Sequence, residues 1–294
     1  MSHQPASEKS VIGIIGGSGV YDIAALQDKQ WRKIDSSFGD PSDECLFGHL
    51  DGQPMVFLPR HGRGHKIPPS AINYRANIDV LKRCGVTDIV ALSAIGSLRA
   101  ELAPGQMVAV DQFIDRTVSR PASFFGPGLV GHVSLADPVC PRLSAALANA
   151  VEGEGGTVHR GGTYVAIEGP QFSTRAESRL YRQWGGDVIG MTGMPEARLA
   201  REAELPYALL GMVTDYDAWR GDEAGVEAGD VLAVMHANVE LAGKVLRRFL
   251  AALPPRREPS PFDRALDQAI MTARAARDPV LVAKLGAVAG RVLG

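Results

Sequence analysis

The chain has 294 residues, 45% apolar, 22% charged and 6% aromatic, the balance of a folded globular protein with room for one large domain or two small ones. Its 31 Lys and Arg against 33 Asp and Glu leave a net charge of -2, so there is no basic field to gather nucleic acid or anionic lipid. Cys45, Cys84 and Cys140 are far apart and form no CxxC pair, which argues against a disulfide framework, a structural zinc or a redox motif, and points to a reducing, cytoplasmic setting. The first ten residues are polar and the apolar stretches elsewhere are short, so neither an export signal nor a membrane anchor is expected.

Short apolar and β-branched runs predict strands at residues 11–15, 55–58, 89–92, 107–110, 188–189 and 208–213. Between them, residues 71–84 set Tyr74, Ile78 and Leu81 on one helical stripe ahead of a stop at Gly85. Residues 143–151 and 196–204 also read as helices, and residues 231–250 as a long amphipathic helix ending before Pro254 and Pro255. This alternation predicts an α/β fold. The run LPPRREPSP at 253–261 has the composition of a linker, which divides the chain into a domain at 11–252 and an extension at 262–294. The extension is alanine-rich, long enough for two short helices and too small for its own core, so it is expected to pack on the main domain or on a neighbouring subunit.

The residues just past each strand are more informative than the strands themselves. Gly16-Gly17-Ser18-Gly19, Arg60-His61-Gly62-Arg63-Gly64-His65, Ser93-Ala94-Ile95-Gly96-Ser97, Gly190-Met191-Thr192-Gly193 and Thr214-Asp215-Tyr216-Asp217 each come directly after an apolar run. Ligands of α/β sheets bind at the carboxyl ends of the strands, so these loops point to one shared site.

The glycine loop lets backbone N–H groups approach an anion closely, with the Ser18 hydroxyl as an added donor; a plain strand-to-helix turn would use the same residues. It is not GxGxxG, because Asp22 stands at the last glycine position, and it lacks GK[ST], which weakens nicotinamide and ATP readings. In the segment 60–65 arginine offers a planar fork and histidine can donate from either nitrogen, chemistry suited to a dianion, with a solvated basic loop as the alternative. A metal at His61 and His65 would need further ligands that the local sequence does not supply. Ser93 and Thr192, taken singly, read as turn or capping residues. Asp215 and Asp217 alternate after a strand and can face one side, where a carboxyl held protonated would serve a leaving group; a capping or turn role is the other reading.

Taken together, IGIIGGSGVYDI, LPRHGRGHKIPPSAINYRANI, SAIGSL, DQFIDRT, IEGPQFSTRAESRLYR, GMTGMPEA and TDYDAW, in this order, resemble the 5'-methylthioadenosine phosphorylase branch of the trimeric purine nucleoside phosphorylase family, over roughly residues 11–250. The resemblance implies a single α/β domain with a mixed, partly barrel-like central sheet flanked by helices, assembled as a homotrimer. It implies phosphorolysis of S-methyl-5'-thioadenosine to adenine and 5-methylthioribose 1-phosphate in purine and methionine salvage, with inorganic phosphate as co-substrate and no metal or organic cofactor. Carried over by position, Ser18, Arg60, His61, Ser93, Ala94 and Thr192 would hold phosphate, Phe172 would face the purine and Met191 the ribose. Asp215 and Asp217 would meet the base as catalytic residues, and His132, reaching across the trimer, would join Val226 and Val231 around the methylthio group.

Some positions depart from the commonest pattern. Ser18 stands where threonine is frequent, SAIGSL replaces a TACGSL-like segment, and Gly190 and Gly193 replace bulkier or polar residues. GMTGMPEA also resembles the branch that prefers methylthioinosine, whereas Asp215, where a 6-oxopurine enzyme usually has asparagine, favours a 6-amino purine. Alternatives are therefore a methylthioinosine or general purine nucleoside phosphorylase, a hydrolytic nucleosidase, which would need no dianion site, and a non-catalytic nucleoside-binding protein.

Overall fold

The structure is a computed structural model; it describes residues 9–17, 26–220 and 228–294, with side chains in the last stretch from residue 234 onward except 236. The elements in chain order are β1 (Ile12–Gly16), β2 (Gln27–Arg32), β3 (Cys45–Leu50), β4 (Gln53–Pro59), α1 (Tyr74–Arg83), β5 (Asp88–Ser97), β6 (Met107–Val110) and β7 (Gln112–Asp115). They continue with α2 (Pro141–Gly153), β8 (Val158–Arg160), β9 (Thr163–Ala166), α3 (Arg175–Gln183), β10 (Val188–Gly190), α4 (Gly193–Glu202), β11 (Tyr207–Asp215), α5 (Ala228–Ala251), α6 (Pro279–Lys284) and α7 (Gly286–Leu293).

Among the described residues all strands join one 11-stranded mixed sheet that branches at β5. The first half of β5 lies between β1 and β11, parallel to both, and its last residues pair antiparallel with β10. One arm runs from β5 through β1, β4 and β3 to the edge strand β2; another passes through β10 and β9 to β7; β11 carries a third, through β6 to β8. The carboxyl ends of β1, β4, β10 and β11 thereby gather around the second half of β5. Both β5 and β11 run past their predicted ends, so Ser93 and Asp215 sit on strands and not in the loops expected from sequence.

Strand alternation divides the core into two layers. Ile89 and Ala91 of β5 and Leu209 and Val213 of β11 pack with α1, α4 and α7, while Val90, Leu92, Leu210 and Met212 pack with α2 and α5. Helix α1 follows its predicted stripe: Tyr74, Ile78 and Leu81 are buried, Asn73 caps it by accepting from Ala76 N–H at 3.1 Å, and Gly85 ends it at φ 78°. Each fully buried leucine or isoleucine of this kind stabilises the fold by roughly 1.5–3 kcal/mol.

The extension joins the layer of α1 and α4. Leu266, Ala269, Leu285, Val288, Ala289 and Leu293 belong to its buried cluster, and Glu204, just past α4, accepts from Leu266 N–H at 2.9 Å and Arg291 Nε at 2.8 Å. The proline-rich approach to it is anchored too: Arg257, buried, donates Nε to Asp88 at 2.7 Å and Nη1 to Asp263 at 2.9 Å. Among the described residues no helix is long and apolar enough to cross a membrane.

Candidate active site

A cavity of about 510 Å³ opens where these strand ends meet, a size that suits a small-molecule substrate. Gly17, Arg60, His61, Ser93, Ala94, Gly96, Met191, Thr192, Asp215 and Asp217 line it, so all five strand ends contribute to the single site expected.

At one end Arg60 is fully enclosed. Its backbone N–H donates to the Gly16 carbonyl at 2.9 Å, tying the end of β4 to that of β1. The guanidinium donates Nε to Glu196 Oε2 at 2.8 Å, Nη2 to Glu196 Oε1 at 3.1 Å and to the Ile15 carbonyl at 3.4 Å, and Nη1 to the Leu92 carbonyl at 3.0 Å. Burial works against its charge, yet the attraction and hydrogen bonds of Glu196 outweigh that and hold the cation more firmly than in water. Tyr207 also donates to Glu196, at 2.9 Å. The fork expected to grip an oxyanion with two N–H groups is thus turned to Glu196, and of its donors only one on Nη1 is left for a ligand.

His61 differs from its sequence reading in a similar way. Its Nδ1 lies 2.9 Å from the Ile67 carbonyl, which can only accept, so Nδ1 carries the hydrogen. Burial, with the nearby Arg60, His65 and Arg120, pulls its pKa down to about 4 against that hydrogen bond, which keeps the ring neutral at physiological pH. Its ring stacks on His65 at a centroid distance of 4.3 Å. Next to it the Ser93 hydroxyl donates to the Ala94 carbonyl at 3.0 Å and lies 3.3 Å from the Thr192 hydroxyl.

The Thr192 segment is set from behind. Tyr164 Oη accepts from Thr192 N–H at 3.2 Å and Gly193 N–H at 3.4 Å. A side chain at Gly190 would meet that oxygen at 2.1 Å, so the glycine is what admits the tyrosine. Arg120 joins the walls: it donates to the carbonyls of Met191 at 2.6 Å, Met194 at 2.8 Å and Glu168 at 2.6 Å, and to Tyr74 Oη at 2.9 Å. These are the segments on which Met191, Thr192 and Ile167 reach the cavity.

Phe172 and Ile189 also line the cavity, together with two carboxylates. Asp215 accepts from the Thr214 hydroxyl at 2.7 Å and from Asp217 N–H at 2.8 Å. The latter bond holds Asp217 at φ 49°. Gly96 makes room for the pair, since a Cβ there would lie 2.9 Å from Asp215 Oδ1. Burial pushes the Asp217 pKa above the ordinary carboxylate value, helped by Asp215; the Ser178 and Ser173 hydroxyls and the Ala218 N–H offset part of this. Neither hydroxyl makes a well-formed hydrogen bond, and Asp217 Oδ2, Ser173 Oγ and Ser178 Oγ are all buried without a partner in the protein. Such a cluster is an apt receptor for the edge of a polar ring.

Of the residues predicted from sequence, Arg60, His61, Ser93, Ala94, Phe172, Met191, Thr192, Asp215 and Asp217 line this cavity. His132 is exposed beside the extension, where its N–H donates to the Ala269 carbonyl at 2.8 Å, and is not among the residues of this wall. Ser18 and Val226, with the side chain of Val231, lie outside the described residues. Sequence reading missed Glu196, Arg120, Tyr164, Tyr207 and Ser178; Glu196 is the one charged residue of GMTGMPEA, and that was the only signal pointing to it.

Fold and site together define an α/β enzyme with one cavity lined by Arg60 and His61 as well as by Phe172 and the carboxylates of Asp215 and Asp217. The sequence profile of the phosphorylase superfamily matches residues 11–251, and the chain belongs to that family. It is 58% identical to S-methyl-5'-thioadenosine phosphorylase of Cereibacter sphaeroides over 97% of this chain and 99% of the relative, and 53% identical to that of Rhodospirillum rubrum over 98% and 99%. A crystal structure of methylthioadenosine phosphorylase from an antarctic soil metagenomic library superposes with a TM-score of 0.90 at 45% identity, covering 96% of this chain and 99% of that one. A Schistosoma mansoni adenosine/methylthioadenosine phosphorylase variant in complex with methylthioadenosine superposes at 0.77 with 38% identity, covering 83% and 91%.

Proposed function

We propose that the chain catalyses phosphorolysis of S-methyl-5'-thioadenosine, giving adenine and 5-methylthioribose 1-phosphate. The observation that carries this is a single cavity lined by the donors Arg60, Ser93 and Thr192 and also by two carboxylates and the aromatic side chain of Phe172. Phosphate rests on one N–H of Arg60, on His61, on Ser93, Thr192 and the Ala94 N–H, with Ser18 from the glycine loop. The purine lies against Phe172, with its edge toward Asp215 and Asp217, and the ribose beside Met191.

As the N9–C1' bond lengthens, negative charge gathers on the purine and positive charge on the ribosyl carbon. A phosphate oxygen closes on C1' from the opposite face, and the base leaves with a proton at N7. Asp217, with its raised pKa, is suited to hold that proton, and Asp215 to accept from the 6-amino group. Fixing both reactants in one cavity can supply roughly 7 kcal/mol or more of the barrier reduction. No metal or organic cofactor enters this scheme. The working unit is a homotrimer in the cytoplasm, serving purine and methionine salvage. In it His132 crosses to a neighbour's pocket for the methylthio group, lined also by Val226 and Val231, while residues 11–252 form the catalytic domain and 262–294 its extension.

Phosphate dependence tests this reading. Adenine release from methylthioadenosine, followed by chromatography, should require phosphate and yield a sugar phosphate. Equal release in phosphate-free buffer would show a hydrolase instead.

A further inference from the structure

We propose that His61 acts as a hydrogen-bond acceptor in the anion site, so that the site selects tetrahedral oxyanions carrying a hydroxyl, seated with that hydroxyl on His61 Nε2. The inference rests on the phosphorolytic reading above and deepens it. The Ile67 carbonyl lies 2.9 Å from Nδ1 and fixes the hydrogen on that nitrogen. In a neutral imidazole the other nitrogen then carries a lone pair and has nothing to donate. The ring is 7% exposed, lines the cavity and packs flat on His65, so it has little freedom to turn its other edge to the ligand.

The charges around the ring favour the neutral form. Arg60 lies in the same wall and is paired with Glu196, Arg120 is paired with Glu168, and Lys66 also lines the cavity, so an imidazolium would be one more cation in a site already holding these. The low pKa of His61 agrees with this.

A bare anion placed on Nε2 would set lone pair against lone pair. The phosphate dianion avoids this, because it carries one hydroxyl that can donate to Nε2 while its other oxygens accept from Arg60, Thr192 and the backbone. The hydroxyl stays protonated throughout: the bond formed is between an unprotonated phosphate oxygen and C1', the bond broken is N9–C1', and no proton passes to His61. Holding the hydroxyl at His61 also keeps that proton off the attacking oxygen. Arsenate carries the same hydroxyl; sulfate does not.

The test uses intact protein labelled with 15N-histidine, at mildly alkaline pH where phosphate is mainly the singly protonated dianion. Long-range 1H–15N spectra separate protonated from unprotonated ring nitrogens, and the His61→Gln variant identifies the His61 signal by its loss. Without ligand, Nδ1 should be protonated and Nε2 not. With saturating phosphate, Nε2 should shift as an acceptor does and remain unprotonated. Binding of sulfate, measured by competition against phosphate, should be weaker by on the order of a hundredfold, since a site built around a hydroxyl rejects the analogue that lacks it. In His61→Gln, whose amide can also donate, that ratio should narrow at least tenfold. An imidazolium in the phosphate complex, or sulfate bound as tightly as phosphate to the wild-type protein, would overturn the inference while phosphorolysis itself persisted. If phosphate neither moved the His61 signal nor was needed for adenine release, the functional reading would fall, and this inference with it.

Discussion

The two ends of the cavity are built by opposite means. At the proposed anion end most polar groups are answered by others from the protein: Arg60 by Glu196, Glu196 by Tyr207, His61 Nδ1 by the Ile67 carbonyl, and the Thr192 N–H by Tyr164. At the base end Asp217 Oδ2 and the hydroxyls of Ser173 and Ser178 are buried with no such answer. The first end is stable before a ligand arrives and presents only a few directed contacts. The second carries a desolvation cost that a ligand with matching donors would relieve. Removing a polar group should therefore do opposite things to stability at the two ends.

The largest effect is expected at Glu196. Replacing it by glutamine leaves the buried Arg60 cation without its counter-charge, which typically costs about 3–5 kcal/mol. Chemical denaturation should show that loss, and the KM for phosphate should rise more than that for the nucleoside, because the freed guanidinium no longer holds its position. A loss below about 1 kcal/mol would mean that the pair is not the brace of the anion end.

The base end should respond in selectivity. An asparagine at Asp215 can donate through its amide to a 6-oxo group, so Asp215→Asn should shift the kcat/KM ratio from methylthioadenosine toward methylthioinosine, on the order of a hundredfold. If the ratio did not move, or if the wild-type enzyme preferred methylthioinosine, base selection would lie instead with the glycine-flanked Met191-Thr192 segment. The GMTGMPEA sequence gives that outcome its interest.

The same contrast explains what could be seen in the sequence. Groups that line the cavity sit just after apolar runs, so Arg60, His61, Ser93, Thr192, Asp215 and Asp217 were legible from order along the chain. The groups that brace them were not, because their pairing is set by the tertiary fold: Glu196 lies 136 residues from Arg60, and Arg120 lies 71 from the Met191 carbonyl it holds. The strands divided similarly. The buried central strands β1, β4, β5 and β11 read as apolar runs. Edge strand β2, QDKQWR and exposed throughout, has no such run, and β8 and β9 have only 3 and 4 residues. Helix α3, RAESRLYRQ, buries only Ser178 and Tyr181, too few apolar positions to make a stripe, although its Thr174–Glu177 capping box was there to be read.

The smallest effect, and the one of opposite sign, belongs to Asp217. Its pKa in the folded protein is raised above the ordinary carboxylate value, chiefly by burial. The folded state therefore holds this proton more tightly than the unfolded chain does. The resulting stabilisation is full below the unfolded pKa and is lost as pH rises through the folded value. Above that folded value the ionised, buried carboxylate is a net cost. Asp217→Asn keeps the size of the side chain, removes the charge, and offers the Ser173 and Ser178 hydroxyls a neutral partner. Stability measured by denaturation at about pH 7 should then be unchanged or higher by up to about 1 kcal/mol, and the wild-type gain on going to about pH 4 should shrink in the variant. Adenine release should nevertheless fall, since an amide has no acidic proton to give the leaving base. A variant less stable than wild type by more than about 1 kcal/mol at neutral pH would show that the carboxylate is held by real hydrogen bonds. The base end would then be built like the anion end, and the contrast between them would be wrong.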